Sequence, residues 1–105
     1  MTKRLMTVPI NKIWIDDDRR LCIQPQSNTF ELIYRSAMGV QWNVEGRFLY
    51  SMKIDKWLPA DWYRQIAAAV ESEYGFKLRL EWKTIWKNVD NQQKAAIKEI
   101  DKSFI

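Results

Sequence analysis

Tryptophan and lysine are interleaved in the segment EWKTIWKNV, residues 81–89, where Trp82 precedes Lys83 and Trp86 precedes Lys87. Indole rings stack on nucleic-acid bases and lysines contact phosphates, so these are the residue types of a single-strand-binding site. In the alternative interpretation, the tryptophans fill a hydrophobic core while the lysines face the solvent. The choice depends on the secondary structure that carries these four side chains.

Residues suited to catalysis are few. The chain has no histidine, which excludes Ser-His-Asp and Cys-His arrangements and imidazole metal sites. Its single cysteine, Cys22, lies in an apolar strand-like segment, and we interpret it as a packed side chain rather than a nucleophile. The acidic run DDD, residues 16–18, lacks the spacing of a calcium-binding loop and is interpreted as a solvated turn. We predict a non-enzymatic protein without catalytic residues, cofactor or metal; carboxylate catalysis is the third hypothesis.

The composition is that of a globular domain. The chain has 105 residues, 47% hydrophobic and 29% charged, and no apolar run of transmembrane length. No apolar stretch of signal-peptide length follows the first basic residues. Residues 1–52 carry seven cations and five anions and residues 53–105 carry ten and eight, so the net charge of +4 is not concentrated in a tail. We expect one cytoplasmic domain, residues 1–105, without membrane contact.

Four short segments in the N-terminal half are predicted to be strands. KIWI (12–15) and LCIQ (21–24) are rich in β-branched and aromatic residues, and Pro25 ends the second of them. A five-residue loop between them pairs Ile15 with Leu21, whereas a two-residue loop pairs Asp16 with Arg19. The other two segments are TFELIYR (29–35) and VQWNV (40–44), in which apolar residues alternate.

The fourth strand is followed by a hairpin with two alternative registers. A two-residue turn pairs Trp42 with Leu49 and mixes polar and apolar side chains on one face. A three-residue loop over residues 44–46 pairs Trp42 with Phe48 and places polar and apolar side chains on opposite faces. We prefer the three-residue loop, in which Gly46 takes the left-handed conformation that a bulged turn requires.

The C-terminal half is predicted to form a helix, a strand and a second helix. In LPADWYRQIAAAVESEYG (58–75), Pro59 suits the first helical position and Gly75 suits the stop. In FKLRLEWK (76–83), even-numbered residues are apolar and odd-numbered residues are charged. The last helix is predicted to start at Asp90. Its apolar stripe consists of Ala96, Ile97, Ile100 and Phe104.

These elements predict an α+β domain: a mostly antiparallel sheet of about five strands, one long helix on one face and a short C-terminal helix. If the strand continues past Lys83, Trp86 shares the apolar face with Trp82, and Lys87 shares the basic face. Neighbouring residues of a strand point to opposite faces, so one surface cannot present both sets. The alternation therefore favours buried tryptophans.

Two candidate surfaces follow. The leading hypothesis is a protein partner or a second copy of the chain, bound by an aromatic second sheet face made of Trp14, Ile33, Leu49 and Trp57. Trp57 equally suits a lid on the core. The alternative hypothesis is nucleic acid, bound along the basic strand face of Lys77, Arg79, Lys83 and Lys87. An edge strand kept soluble by lysines explains the same basic pattern without a ligand.

The segment EGRFLYSMKIDKWLPADWYRQIAAAVESEYGFKL, residues 45–78, resembles small bacterial proteins carried in mobile integron gene cassettes. Those proteins have short aromatic strands followed by a DWYRQI-type helix that ends at EYG. The resemblance implies a bacterial cytoplasmic protein, often oligomeric and often of unknown role. It assigns no catalytic or binding residue.

Overall fold

The computed structural model describes residues 6–103, which form one six-stranded sheet with two helices on one face. The elements in chain order are β1 (Met6–Ile15), β2 (Arg20–Pro25), a 3₁₀ helix (Ile33–Arg35), β3 (Gln41–Asn43), β4 (Phe48–Lys53), α1 (Pro59–Tyr74), β5 (Phe76–Arg79), β6 (Ile85–Lys87) and α2 (Asn91–Ser103). The predicted α+β class is confirmed, but the sheet has six strands and is mixed. No helix in this part of the chain has the length and apolar character needed to cross a membrane.

The sheet is built around β1. The strand order is β3-β4-β2-β1-β5, and β6 also pairs with β1. The first half of β1 runs parallel to β5, from Met6 opposite Phe76 onward, and its second half runs parallel to β6, where Ile13 lies opposite Trp86. The ladder with β2 shifts register between Ile10 and Lys12. Both Ile10 and Ile13 are buried, so the strand changes its inward-facing parity at this shift.

Helix α1 has the predicted bounds. Pro59 occupies the first turn, and the Leu58 N–H donates to Asp61 Oδ2 at 2.9 Å. Gly75 ends the helix with φ 71°, and its N–H donates to the carbonyl of Glu71 at 2.9 Å. The buried side of α1 packs on the sheet in a single hydrophobic core. That core contains Trp62, Tyr63, Ile66 and Val70 of the helix with Ile13, Leu21, Ile23 and Leu49 of the sheet.

The start of α2 is also confirmed. The N–H of Gln93 donates to Asp90 Oδ1 at 2.8 Å, which makes Asp90 the capping residue. Ile97 and Ile100 are buried in the core, as predicted. Phe104, the last residue of the predicted stripe, lies outside the described residues.

Residues 29–35 do not form the predicted strand. Phe30 and Ile33 are both fully buried, and an extended chain would point them to opposite faces. A turn followed by the 3₁₀ helix buries both side chains. The ring of Phe30 makes edge contacts with Trp42, Tyr74 and Phe76 at centroid distances of 5.6, 5.0 and 6.4 Å.

The β3–β4 hairpin has the register that the sequence pattern disfavoured. Trp42 lies opposite Leu49, both facing the core, and residues 44–47 form the connection. The predicted pairing of Trp42 with Phe48 is wrong, because it would turn the fully buried Leu49 away from the core. The residue with a positive φ, 58°, is Arg47 rather than Gly46. Glycine at position 46 instead lets the ring of Phe48 pack against the backbone, since a Cβ here would overlap that ring.

The alternating segment is interrupted between β5 and β6. The Thr84 N–H donates to the Glu81 carbonyl at 3.1 Å, and the Glu81 N–H donates to Thr84 Oγ1 at 2.9 Å. The Thr84 hydroxyl in turn donates to the carbonyl of Ile10 at 2.7 Å. This turn, residues 80–84, is thereby attached to β1 where the register of β1 shifts.

Asp16 organises the β1–β2 connection, in which Ile15 lies opposite Leu21 as the five-residue loop predicts. Its Oδ1 accepts the N–H groups of Asp18 and Arg20 at 3.0 and 2.9 Å, and its Oδ2 accepts Nε of Arg20 at 2.9 Å. Burial acts to raise the pKa of the Asp16 carboxyl, but the hydrogen bonds and charge of Arg20 outweigh it and hold that pKa below its ordinary value.

We expect Asp16→Ala to lower the free energy of unfolding by about 1–2 kcal/mol, because two backbone N–H groups lose their acceptor. The matched control, Asp17→Ala at an exposed position, should change it by less than about 0.5 kcal/mol. A carboxyl with a lowered pKa stabilises the fold above its unfolded pKa and loses this effect as pH falls through the folded pKa. The difference between wild type and Asp16→Ala should therefore shrink below about pH 4 in urea titrations. Equal losses in both variants would contradict this role.

Thr84→Val tests the attachment of the turn. The side chain is 6% exposed, so removing the hydroxyl leaves the Ile10 carbonyl and the Glu81 N–H without their partner. We expect a loss of about 1–3 kcal/mol in unfolding free energy by urea titration. Thr84→Ser keeps the hydroxyl, loses one methyl group and should cost about 1 kcal/mol. A serine variant as unstable as the valine variant would show that packing, not hydrogen bonding, holds the turn.

Candidate nucleic-acid interface

The two tryptophans of the alternating segment do not share a buried face. Trp82, in the turn, is 96% exposed, whereas Trp86 in β6 is half-buried against the core. The prediction that both are buried is wrong for Trp82. Alternation holds only while a strand stays paired, and the chain leaves β1 after Arg79 and returns at Ile85. Leu78, within β5, is buried as predicted.

The predicted basic strand face is divided in the same way. Lys77 and Arg79 flank the buried Leu78 in β5 and so point to the face opposite the helices. Lys87 in β6 lies opposite Trp14 of β1. Lys83 lies in the turn, outside both strands. The structure therefore places three of the four cations on the uncovered side of the sheet and separates Lys83 from them.

The predicted aromatic face is not one surface either. Ile33 and Leu49 are fully buried, so the expectation that they point away from the core is wrong. Ile33 belongs to the 3₁₀ helix, and Leu49 lies opposite the buried Ile23. Trp57 is 44% exposed and packs on Trp62 with ring centroids 4.8 Å apart, as a lid on the core would. Of the four residues, Trp14 alone lies on the second face of the sheet.

An aromatic and basic surface does exist on that second face. We define the outer sheet face by six residues whose strands bring them together: Lys12, Trp14, Arg20, Phe48, Tyr50 and Lys87. The three rings are half-buried and are absent from the hydrophobic core under α1. Trp14 meets Phe48 edge-on at 4.9 Å, and Phe48 meets Tyr50 edge-on at 6.0 Å. Neither helix of residues 6–103 covers these rings.

Cations lie directly over two of the rings. Lys12 Nζ is 4.9 Å from the ring centroid of Trp14, and Arg20 Cζ is 4.7 Å from that of Tyr50. Arg20 is also held by ion pairs to Asp16 at 2.9 Å and Asp18 at 3.5 Å. Lys87 is exposed beside Trp14. The outer sheet face thus combines aromatic rings in edge contact with positive charge.

Sequence reasoning identified Trp14 but missed Phe48 and Tyr50. The signal was the alternation FLYS in β4, where every second residue is aromatic. The disfavoured hairpin register would have placed Leu49 inward and both rings outward. The register that we preferred paired Phe48 with the buried Trp42 and so assigned both rings to the core.

The remaining chemistry is limited. Cys22 lies in β2 between Trp14 and Tyr50 and is fully buried. Burial, followed by the nearby carboxylate of Asp16, raises the pKa of its thiol to about 12, so it is not a thiolate at neutral pH. Residues 6–103 hold no group of three histidine, cysteine or acidic side chains placed to bind a metal ion.

Comparison with known proteins identifies a family. The family model described as Integron Cassette Protein Hfx_Cass5 matches residues 8–84. A solved structure, "Structure from the mobile metagenome of North West Arm Sewage Outfall: Integron Cassette Protein Hfx_Cass5", is 36% identical, covers 97% of this chain and 99% of its own, and superposes with a TM-score of 0.43. No curated protein matches. The resemblance of residues 45–78 to integron cassette proteins is thus confirmed, and the chain belongs to the Hfx_Cass5 integron cassette protein family.

Proposed function

We propose that this protein binds single-stranded nucleic acid through the outer sheet face, as a binding protein rather than an enzyme. One observation carries the proposal: three aromatic rings in mutual edge contact lie on a sheet face that the helices leave open, and cations lie over two of them. A sheet that presents aromatic rings for base stacking is an established way to bind single strands.

The positions of the rings favour stacking on Trp14. Phe48 contacts both other rings edge-on and so keeps their orientations fixed. Lys12 lies over Trp14, and a lysine on a flexible stem can move from the ring to a neighbouring phosphate. Arg20 is held over Tyr50 by its ion pair with Asp16, so it stays as a fixed cation beside the strand. A base therefore stacks on Trp14, and its phosphates lie near Lys12, Arg20 and Lys87.

The geometry favours single strands over duplex. Bases within a duplex already stack on their neighbours, and their faces are not accessible to a flat protein surface. Unpaired bases offer their faces to aromatic side chains, at about 1–3 kcal/mol per base. Stacking of this kind does not distinguish one base sequence from another, because every base has a face that can stack on an aromatic ring.

Charge distinguishes this proposal from self-association through the same face. A two-fold contact sets a surface against its own copy, so the cations of both copies, Lys12 and Lys87 among them, would be brought into one interface. The acidic residues beside the face, Asp16 and Asp18, are already paired with Arg20. A polyanion supplies the missing negative charge, whereas a second copy adds positive charge.

Fluorescence anisotropy with a labelled 12-nucleotide oligothymidine tests the proposal. We expect Trp14→Ala to weaken binding about 5- to 100-fold, because one base loses its stacking partner. Lys87→Glu should weaken binding and reduce the dependence of log Kd on log salt concentration by about one to two units, because a phosphate contact is lost. The matched control is Trp57→Ala, an exposed tryptophan on the helix side, which should bind like wild type.

Two outcomes would overturn the proposal. The first is no binding at low salt, and the second is equal weakening by Trp14→Ala and Trp57→Ala. Size-exclusion chromatography of the wild type and of Trp14→Glu tests the competing idea. A dimer that this substitution dissociates would show that the outer sheet face binds a second copy of the chain.

A further inference from the structure

A concave surface, separate from the outer sheet face, lies between the turn 80–84 and α2. It is a cavity of about 300 Å³, at the lower end of the range for small-ligand sites. We define the tryptophan–lysine groove by the five side chains of its wall that combine aromatic area and positive charge: Trp82, Trp86, Lys94, Lys98 and Lys102. None of them belongs to the outer sheet face.

The lysines form one stripe along α2. Lys94, Lys98 and Lys102 are spaced by four residues, so they lie on one side of the helix. The helical rise of 1.5 Å per residue spreads them over about 12 Å. Lys102 pairs with Glu99 at 3.6 Å, but both side chains are more than 70% exposed, so the pair is weak and Lys102 can exchange it for a phosphate.

The aromatic part of the groove has one fixed ring and one exposed ring. Trp86 packs against the core, and Lys94 Nζ lies 5.3 Å from its ring centroid. Trp82 has the largest exposed fraction among the exposed large hydrophobic side chains. Its turn is attached to β1 through the Thr84 hydroxyl, which fixes the backbone that carries the ring. The indole is thus presented at the edge of the groove by a well-supported backbone.

Two acidic residues, Glu81 and Asp101, lie in the wall of the groove, and Glu81 is exposed to solvent. Asp101 is the one that the structure holds by hydrogen bonds. Asp101 is buried, and its Oδ1 accepts hydrogen bonds from the Tyr63 hydroxyl at 3.2 Å and from the Leu80 N–H at 3.1 Å. These bonds turn that oxygen toward the protein interior. The three ammonium groups outnumber the two carboxylates, so the groove favours an anion that lies along the lysine stripe.

We propose that the tryptophan–lysine groove binds a nucleoside triphosphate, with the base on the tryptophans and the phosphate chain along the lysines. A single phosphate would reach one or two of three amines spread over about 12 Å, whereas a triphosphate reaches more of them. A ligand without an aromatic ring would leave Trp82 unused. The two requirements together specify a nucleoside attached to several phosphates.

Isothermal titration with ATP, AMP and tripolyphosphate in magnesium-free buffer tests the groove. We expect saturable ATP binding with a Kd below about 1 mM, and weaker binding of both AMP and tripolyphosphate. Trp82→Ala should weaken ATP binding about fivefold or more, with no loss of thermal stability because the side chain is exposed. Lys98→Gln combined with Lys102→Gln should weaken it about tenfold. Lys56→Gln, at an exposed cation before α1, is the matched control and should bind like wild type.

The indole N–H signals in ¹⁵N-edited spectra give a second readout, since the chain has six tryptophans. ATP should move the signals of Trp82 and Trp86 and leave that of Trp14 in place, and Trp14→Ala should retain full ATP affinity. Absence of ATP binding, or ATP binding unchanged by the Trp82 and lysine substitutions, would overturn the proposal. Tripolyphosphate binding as tightly as ATP would overturn it as well, because the site would then recognise charge alone.

Discussion

The hydrogen bond from the Thr84 hydroxyl to the Ile10 carbonyl attaches the turn 80–84 to the central strand β1, and the arrangement of the edge strand depends on this attachment. The register of β1 shifts there, and the inward-facing residues change from even-numbered Val8 and Ile10 to odd-numbered Ile13. On one side of β1 the antiparallel partner β2 stays continuous across the shift, with Pro25 opposite Ile10 and Gln24 opposite Lys12. On the other side the parallel partner is divided into β5 and β6, and the residues between them form the turn that Thr84 closes.

Division of the edge strand determines where the side chains of the two proposed sites lie. β5 keeps Lys77 and Arg79 on the open face of the sheet, and β6 places Lys87 beside Trp14 on the same face. The intervening turn carries Trp82 away from the core into the solvent. The divided edge strand thus places Lys87 on the outer sheet face and an exposed indole beside the tryptophan–lysine groove.

Local signals in the sequence predicted local structure well. Pro59 and Gly75 gave the bounds of α1, and Asp90 gave the start of α2, because each acts through hydrogen bonds within its own helix. Pairings between strands were less predictable. The preferred β3–β4 register and the continuous strand through Trp82 both failed, because each depends on which face a distant element covers. Of the outer sheet face, Trp14 and Lys87 were identified, whereas Phe48 and Tyr50 were missed with the hairpin register.

Cations lie over half-buried rings at both proposed binding surfaces, and this arrangement bears on how each surface would exchange water for a ligand. An ammonium over an indole covers apolar area with a charged, hydrated group and contributes about 0.5–1 kcal/mol at an exposed site. Lys12 over Trp14 and Lys94 over Trp86 are arranged in this way on the two sides of the edge strand. A nucleobase stacked on the same ring contributes about 1–3 kcal/mol, and the displaced ammonium gains a phosphate partner. Exchange of the lysine for a base is therefore favourable for a ligand that supplies both a ring and a phosphate, and unfavourable for a ligand that supplies neither.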